Sequence, residues 1–291
     1  MVSSKGWGET IGKALDGLIS RLEKTSDIPT LDAQVLLAHL LNRSRSWILT
    51  HPEAPLTGDE VIKLEKQVIR LEGGEPLPYI LGVWEFFGLE LEVTPAVLIP
   101  RQETELLVEH AITWLRKSEP WSGKLRVMDI GTGSGCIAIA LAVNIPSLIV
   151  TATDISPAAL RVARNNAERM HVSDRITYFE ADLFPNLPIP DPHSLIIANL
   201  PYIPTKTLQR IPIYGREPSL ALDGGSDGLE IIRSFLKKAP SWLLPGGYLI
   251  IEIESSEGPA VQLLANDAFP NAGIHLMKDL AGLDRMLEVQ T

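Results

Sequence analysis

The sequence predicts an α/β chain: a doubly wound domain on a mainly parallel sheet, preceded by a small helical domain and a β-hairpin linker. Three observations carry that prediction. From about Lys124 onward strand-like apolar runs alternate with helical ones, whereas up to about Leu71 the apolar residues recur at helical spacing. Between them lies a short alternating stretch around Gly88. The boundary is placed near Gly82, giving a helical domain over 1–82 and an α/β domain over 83–291, with the hairpin linker at about 83–100.

Leu15, Leu18, Ile19 and Leu22 follow the i, i+3, i+4, i+7 pattern of one buried helix face, and residues 29–42 form a leucine-dense second helix. Thr57 and Glu60 have capping-box spacing ahead of Val61, Leu64, Val68 and Leu71. After Gly73-Gly74-Glu75-Pro76 the period changes. Trp84-Glu85-Phe86-Phe87 and Leu89-Glu90-Leu91-Glu92-Val93 alternate on either side of Gly88, as a hairpin does. Strands are then expected over 126–130, 149–154, 176–180, 194–198 and 248–253. Residues 135–143 read as an apolar helix, and Ser156-Pro157 supplies the N-cap and first-turn proline of the next.

The 291 residues are 45% hydrophobic and 21% charged, a globular composition that excludes disorder and collagen. A single cysteine, Cys136, rules out a disulfide framework within the chain and favours a reducing compartment, so a cytoplasmic location is expected. It is read as a small buried residue at a helix start rather than a nucleophile. The net charge of −10 gives little reason to expect nucleic-acid binding. Lys5, Glu9, Lys13 and Asp16 interrupt any signal-peptide core, and no apolar run reaches spanning length, so no membrane partner is expected. The six histidines show no ligand spacing, and no metal is expected.

Val127-Met128-Asp129-Ile130-Gly131-Thr132-Gly133-Ser134-Gly135 joins the first long strand to its helix, with glycines that let backbone approach a nucleotide-like ligand. Asp154 ends the next strand about 20 residues on, where a carboxylate can accept from both ribose hydroxyls. The third glycine arrives one residue earlier than in a dinucleotide fingerprint, so S-adenosylmethionine suits the loop better than NAD. The Asp129 carboxylate can orient the loop amides or face the cationic methionine end of that cofactor.

The expected strand 194–198 runs into Asn199-Leu200-Pro201-Tyr202, which places this tetrapeptide beside the glycine loop at the carboxyl edge of the sheet. An amide or exocyclic amine nitrogen is a poor nucleophile, and a site that methylates it must hold its hydrogens and aim its lone pair. The Asn199 side-chain oxygen and the Leu200 carbonyl can each accept one N–H, Tyr202 offers a face for a planar group, and Pro201 stiffens the segment.

Further tracts extend over nearly the whole chain. They are Asp32-Ala33-Gln34-Val35-Leu36-Leu37, Pro78-Tyr79-Ile80-Leu81-Gly82 and Leu98-Ile99-Pro100-Arg101-Gln102-Glu103-Thr104-Glu105, then Glu217-Pro218, Ala221 to Leu229, and Asp279-Leu280-Ala281-Gly282-Leu283-Asp284-Arg285. Together with the two loops, the chain resembles the release-factor glutamine N5-methyltransferases, class I enzymes that use S-adenosylmethionine. It departs from them at Leu200 and Gln102, where the family usually has proline. The resemblance implies a Rossmann-like class I methyltransferase domain whose substrate is the glutamine of the Gly-Gly-Gln motif in class 1 peptide chain release factors. It also implies that the helical domain contacts the release factor, and a monomer is expected. Asn199, Leu200, Pro201 and Tyr202 would be the catalytic segment. Asp129, Gly131, Thr132, Gly133, Ser134, Gly135, Asp154, Asp182, Leu183, Phe184 and Asn199 would serve the cofactor, with Asp182, Leu183 and Phe184 near the adenine.

Several residues keep weaker readings. Arg101, Glu103 and Glu105 are either active-site-mouth charges or the decorated first turn of a helix. Residues 223–228 read as a turn rather than a calcium loop, and Glu252 and Glu254, on one side of a strand, as a solvated sheet edge. A ribosomal-protein glutamine methyltransferase, a nucleic-acid adenine methyltransferase and a cofactor-binding adaptor remain the alternatives.

Overall fold

A computed structural model describes residues 10–118, 125–186 and 192–291. The expectations involving Lys5, Glu9 and Lys124 lie outside the described residues. The chain divides into two compact units, Met1–Gly82 and Val83–Thr291.

The first unit contains α1 (Ile11–Leu22), α2 (Pro29–Leu41), α3 (Arg45–Thr50), α4 (Gly58–Glu72) and α5 (Leu77–Leu81). Its core joins Leu18 and Leu22 of α1 to Leu36 and Leu37 of α2 and Leu64 and Val68 of α4, all fully buried. The capping box forms: Thr57 Oγ1 accepts from the Glu60 amide at 3.3 Å, and Glu60 Oε2 accepts from the Thr57 amide at 2.7 Å. On the surface, Arg21 of α1 reaches both Glu65 and Glu72 of α4.

The second unit opens with an antiparallel hairpin, β1 (Val83–Phe86) and β2 (Leu89–Glu92). Its two-residue turn, Phe87 and Gly88, has positive φ at both positions, which matches the twist of the flanking strands. After α6 (Gln102–Lys117) come β3 (Arg126–Ile130), α7 (Cys136–Asn144), β4 (Ile149–Asp154), α8 (Pro157–Arg169), β5 (Ile176–Glu180) and β6 (His193–Asn199). The chain continues through α9 (Thr205–Leu208), α10 (Glu230–Lys238), β7 (Leu243–Glu252), α11 (Gly258–Ala268), β8 (Gly273–Lys278) and β9 (Asp284–Gln290). Among the described residues the main sheet has seven strands in the order β5-β4-β3-β6-β7-β9-β8. Its first five strands pair in parallel, and β9 runs antiparallel to both β7 and β8.

Both faces are covered. Val127 of β3 and Leu195 of β6 share a core with Leu107 of α6 and Ala138 of α7, while the alternate residues Met128 and Ile196 pack with Phe235 of α10 and Val261 of α11. Strand order reverses at β3, whose neighbours are β4 on one side and β6 on the other. The crevice beyond the carboxyl ends of β3 and β6 is therefore the expected ligand position of an open α/β sheet.

Candidate functional site

The glycine loop is held from below by Asp129. Its carboxylate is fully buried at the end of β3, where Oδ2 accepts from Thr132 Oγ1 at 2.6 Å and from the Ala138 amide in the first turn of α7 at 3.2 Å. Oδ1 is buried without a partner among the described residues. Burial pushes the Asp129 carboxyl up to about 7, the two hydrogen bonds opposing the rise and the charge of Asp154 adding to it. Gly131 and Gly133 both have positive φ. A Cβ on Gly131 would sit 3.4 Å from Leu200 Cδ2 and 3.7 Å from the Asn199 carbonyl, so the glycine loop and the end of β6 meet closely. Gly135 does different work. With φ +82° it caps α7, and a Cβ there would meet Ile139 Cδ1 at 3.0 Å and Ala163 Cβ at 3.1 Å, so it allows α7 and α8 to approach.

Asp154 closes β4 and binds the loop from the side. Its Oδ2 accepts from the Gly133 amide at 2.9 Å and its Oδ1 from the Ser156 amide at 2.8 Å, leaving lone pairs on both oxygens. Burial raises its pKa, with the Ser156 and Gly133 amides opposing. Ser156 then caps α8 by accepting from the Ala159 amide.

At the end of β6, Asn199 Nδ2 donates to Thr104 Oγ1 at 2.9 Å, and Thr104 Oγ1 donates to Glu252 Oε2 at 2.7 Å. Thr104 and Glu252 are each 2% exposed. This corrects the reading of Glu252 as a solvated sheet-edge residue: strand alternation gives its side of the sheet, but that side is covered here by the first turn of α6. Glu254 lies past the end of β7 and caps the short turn that follows it. Leu200 is 3% exposed and packs in the core with Met128 and Ile130, so its side chain occupies space beneath the glycine loop. Burial and the charge of Glu252 raise the Tyr202 phenol, which keeps it neutral. The glycines of the 224–228 turn have a local purpose. A Cβ on Gly224 would lie 2.8 Å from Tyr202 Cα, and one on Gly228 2.5 Å from the Tyr202 carbonyl.

Gly131, Gly133, Asp154, Asp182, Leu183, Asn199, Leu200 and Pro201 line one cavity, together with Ala96, Val97, Leu98, Pro218, Leu220 and Ala221. Asp129, Thr132, Ser134 and Gly135 are not among the lining residues. The Phe184 ring stacks between Phe235 at 5.6 Å and Trp242 at 5.4 Å, and neither Phe184 nor Tyr202 is among the residues lining this cavity. Leu183 takes a left-handed backbone, φ 67°, and its carbonyl accepts from Thr153 Oγ1. Arg101 pairs with Glu217 at 2.5 Å, and Glu217 also accepts from the Ile99 amide, which ties the segment before α6 to the one before 218–221. Glu105 accepts from the Phe87 amide. Cys136 opens α7 with its thiol pushed up to about 12 by burial, unsuited to a nucleophile. No group of three or more metal-binding side chains occurs among the described residues.

The order of the sheet, the glycine loop after β3 and the carboxylate at the end of β4 define a class I methyltransferase domain. Two solved structures share this fold: a methyltransferase from Pyrococcus furiosus, at 19% identity and TM-score 0.50 over 70% of this chain and 90% of that one, and the hMettl16 catalytic domain in complex with a MAT2A 3′UTR hairpin, at 14% identity and TM-score 0.53 over 80% and 82%. Residues 13–82 match the family model of the PrmC N-terminal domain, and residues 109–208 that of ribosomal protein L11 methyltransferase (PrmA). Curated release factor glutamine methyltransferases from Coxiella burnetii and Moorella thermoacetica are each 40% identical, the first over 96% of this chain and 98% of its own, the second over 95% and 96%. The chain belongs to the release factor glutamine methyltransferase family.

The cavity suits the cofactor that this family implies. Gly131 and Gly133 expose backbone where a side chain would intrude, Asp154 has lone pairs free for a diol, and Leu183 supplies an apolar wall. S-adenosylmethionine therefore fits the residues present, and Gly131, Gly133, Asp154, Asp182 and Leu183 are the residues that would hold it.

Proposed function

We propose that this chain transfers a methyl group from S-adenosylmethionine to the side-chain N5 of the glutamine in the Gly-Gly-Gln motif of class 1 peptide chain release factors. The observation that carries this reading is the Asn199 amide at the cavity wall, its Nδ2 bound to Thr104 and its Oδ1 accepting from nothing among the described residues. The family membership supplies the substrate class, since the relatives are named for release factor glutamine.

The cofactor, when bound, supplies an electrophilic methyl group on a sulfonium. The protein's part is to present the amide. Asn199 Oδ1 and the Leu200 carbonyl each accept one N–H of the substrate carboxamide, so its nitrogen is held at a fixed angle instead of rotating freely. Accepting both hydrogens also increases electron density on a nitrogen whose lone pair is delocalised into its carbonyl, and the nitrogen that gains the methyl group gives up one of these two protons to water, leaving a secondary amide. Pro201 restricts the Leu200 backbone to extended geometry, which fixes that carbonyl. Tyr202, neutral, provides the apolar face against which the planar amide packs. The unit of residues 1–82 recognises the release factor, a reading supported by the match of 13–82 to the PrmC N-terminal domain.

We further propose that the protein acts as a cytoplasmic monomer without nucleic-acid or membrane partners. The net charge of −10 supports the absence of a nucleic-acid partner, and the single cysteine of the chain supports a reducing compartment. A second reading, methylation of a ribosomal protein, draws on the match of residues 109–208 to the L11 methyltransferase model. That match stops short of the helical unit, which is why the release factor is preferred.

Radiolabelled S-adenosylmethionine tests both. Label on a class 1 release factor, absent when its Gly-Gly-Gln glutamine is alanine, is the expected result. Label on a ribosomal protein fraction alone would replace the substrate.

A further inference from the structure

A carboxamide side chain has two ends of nearly equal size and opposite hydrogen-bonding character, and packing alone scarcely distinguishes them. At Asn199 the difference matters, because only an oxygen facing the cavity can accept a substrate N–H. We infer that Thr104 and Glu252 are positioning residues that fix the Asn199 amide with Nδ2 turned inward and Oδ1 turned to the substrate. This rests on the reading of Asn199 as the substrate's acceptor.

The polarity of the chain follows from its last member. Thr104 Oγ1 donates to Glu252 Oε2 at 2.7 Å, so the hydroxyl's one proton is spent there. The Thr104 oxygen can then only accept, and the neighbour it accepts from, at 2.9 Å, is Asn199 Nδ2. A flipped Asn199 would set Oδ1 against an oxygen with no proton to give.

Each member comes from a different element: Thr104 from the first turn of α6, Glu252 from the last residue of β7, Asn199 from the last residue of β6. Asn199 and Glu252 are direct partners in the parallel ladder, which puts both side chains on one side of the sheet. The groups bearing on the Glu252 carboxylate are Thr104 and Glu103 of α6, Arg285 of β9 and Asn199. Burial raises its pKa, Thr104, Arg285 and Asn199 oppose the rise, and Glu103 adds to it. With both Thr104 and Glu252 nearly inaccessible to water, no solvent molecule substitutes for a lost partner at low cost.

Three substitutions test the assignment. T104V keeps the shape and removes the hydroxyl; T104S keeps the hydroxyl. E252Q can donate to the Thr104 oxygen, which frees the Thr104 hydroxyl to donate to a flipped Asn199. Expected for T104V and E252Q is a kcat lower by about tenfold or more, with KM for the release factor and Kd for S-adenosylhomocysteine within about twofold, and for T104S recovery of most of the loss. A wild-type kcat in T104V or E252Q, or equal losses in T104V and T104S, would overturn the assignment.

The second readout needs no activity. The Asn199 side-chain amide resonances of the free protein, identified by their loss in N199D, should show slowed proton exchange in the wild type and faster exchange in T104V. Unchanged exchange refutes the orientation whatever the enzyme does. Wild-type protein that labels no release factor refutes the substrate instead and leaves the amide measurement standing.

Discussion

Asp154→Asn is the sharpest perturbation of the cofactor side, because it preserves shape while removing one acceptor. In the structure each carboxylate oxygen already accepts one main-chain N–H, Gly133 at Oδ2 and Ser156 at Oδ1, at 2.9 and 2.8 Å. An asparagine can satisfy only one of them; whichever way it is placed, its NH2 end confronts an N–H. One charge-assisted hydrogen bond is lost, worth about 1.5–3 kcal/mol, and one amide is left facing a donor. The ribose hydroxyls lose an acceptor at the same end, while the glycine loop loosens at Gly133. A loss of about 1.5–3 kcal/mol in binding corresponds to a Kd roughly 10- to 150-fold higher. Calorimetric titration with S-adenosylhomocysteine measures it on the free enzyme, and a parallel thermal melt separates binding from unfolding. A Kd within about twofold of wild type would refute the reasoning, since it would mean that neither oxygen serves the ligand or the loop.

Three further outcomes are expected. Asn199→Ala abolishes methyl transfer while the Kd for S-adenosylhomocysteine stays within a few-fold, read by labelling and calorimetry on one preparation; full activity would remove Asn199 from the mechanism. Gly135→Ala forces a side chain onto φ +82° and against Ile139 and Ala163, at a cost of about 2–4 kcal/mol and a Tm lower by about 5–15 °C, checked by calorimetry. Asp129 makes stability depend on pH. Its carboxyl is raised from 3.8 to about 7, so the folded state holds a proton that the unfolded state has released across that window. The stabilisation is complete below 3.8 and is lost as pH rises to about 7. Denaturant melts of Asp129→Asn should accordingly show a shallower decline over this range than wild type.

Much of the site could be read in the sequence because it is local. A glycine loop between strand and helix, an acid at the next strand's end and a polar tetrapeptide at a third strand's exit are each contiguous, and parallel topology brings all three to one edge. The helical face of Leu18 and Leu22 and the Thr57–Glu60 cap were legible for the same reason. What escaped is non-local. The strand 194–198 extends one residue further at each end, and β7 begins at Leu243, ahead of Pro245-Gly246-Gly247, which reads as a turn. The antiparallel strands β8 and β9 carry Lys278, Asp284, Arg285 and Glu288 among their apolar residues, which blurs the alternation, so the sequence reading stops at five strands in the main sheet. Glu252 shows the limit most clearly: period two fixes its side of the sheet, but only the packing of α6 shows that this side is dry. Thr104 reads as a first-turn residue, and its link to Asn199 spans 95 positions.

The measurement that bears most directly on the central claim is fragmentation mass spectrometry of a class 1 release factor after incubation with S-adenosylmethionine and either the wild-type chain or Asn199→Ala. A single added methyl on the side chain of the Gly-Gly-Gln glutamine is expected with the wild type and none with the variant. A methyl on any other residue, or the same modification from both proteins, would contradict it.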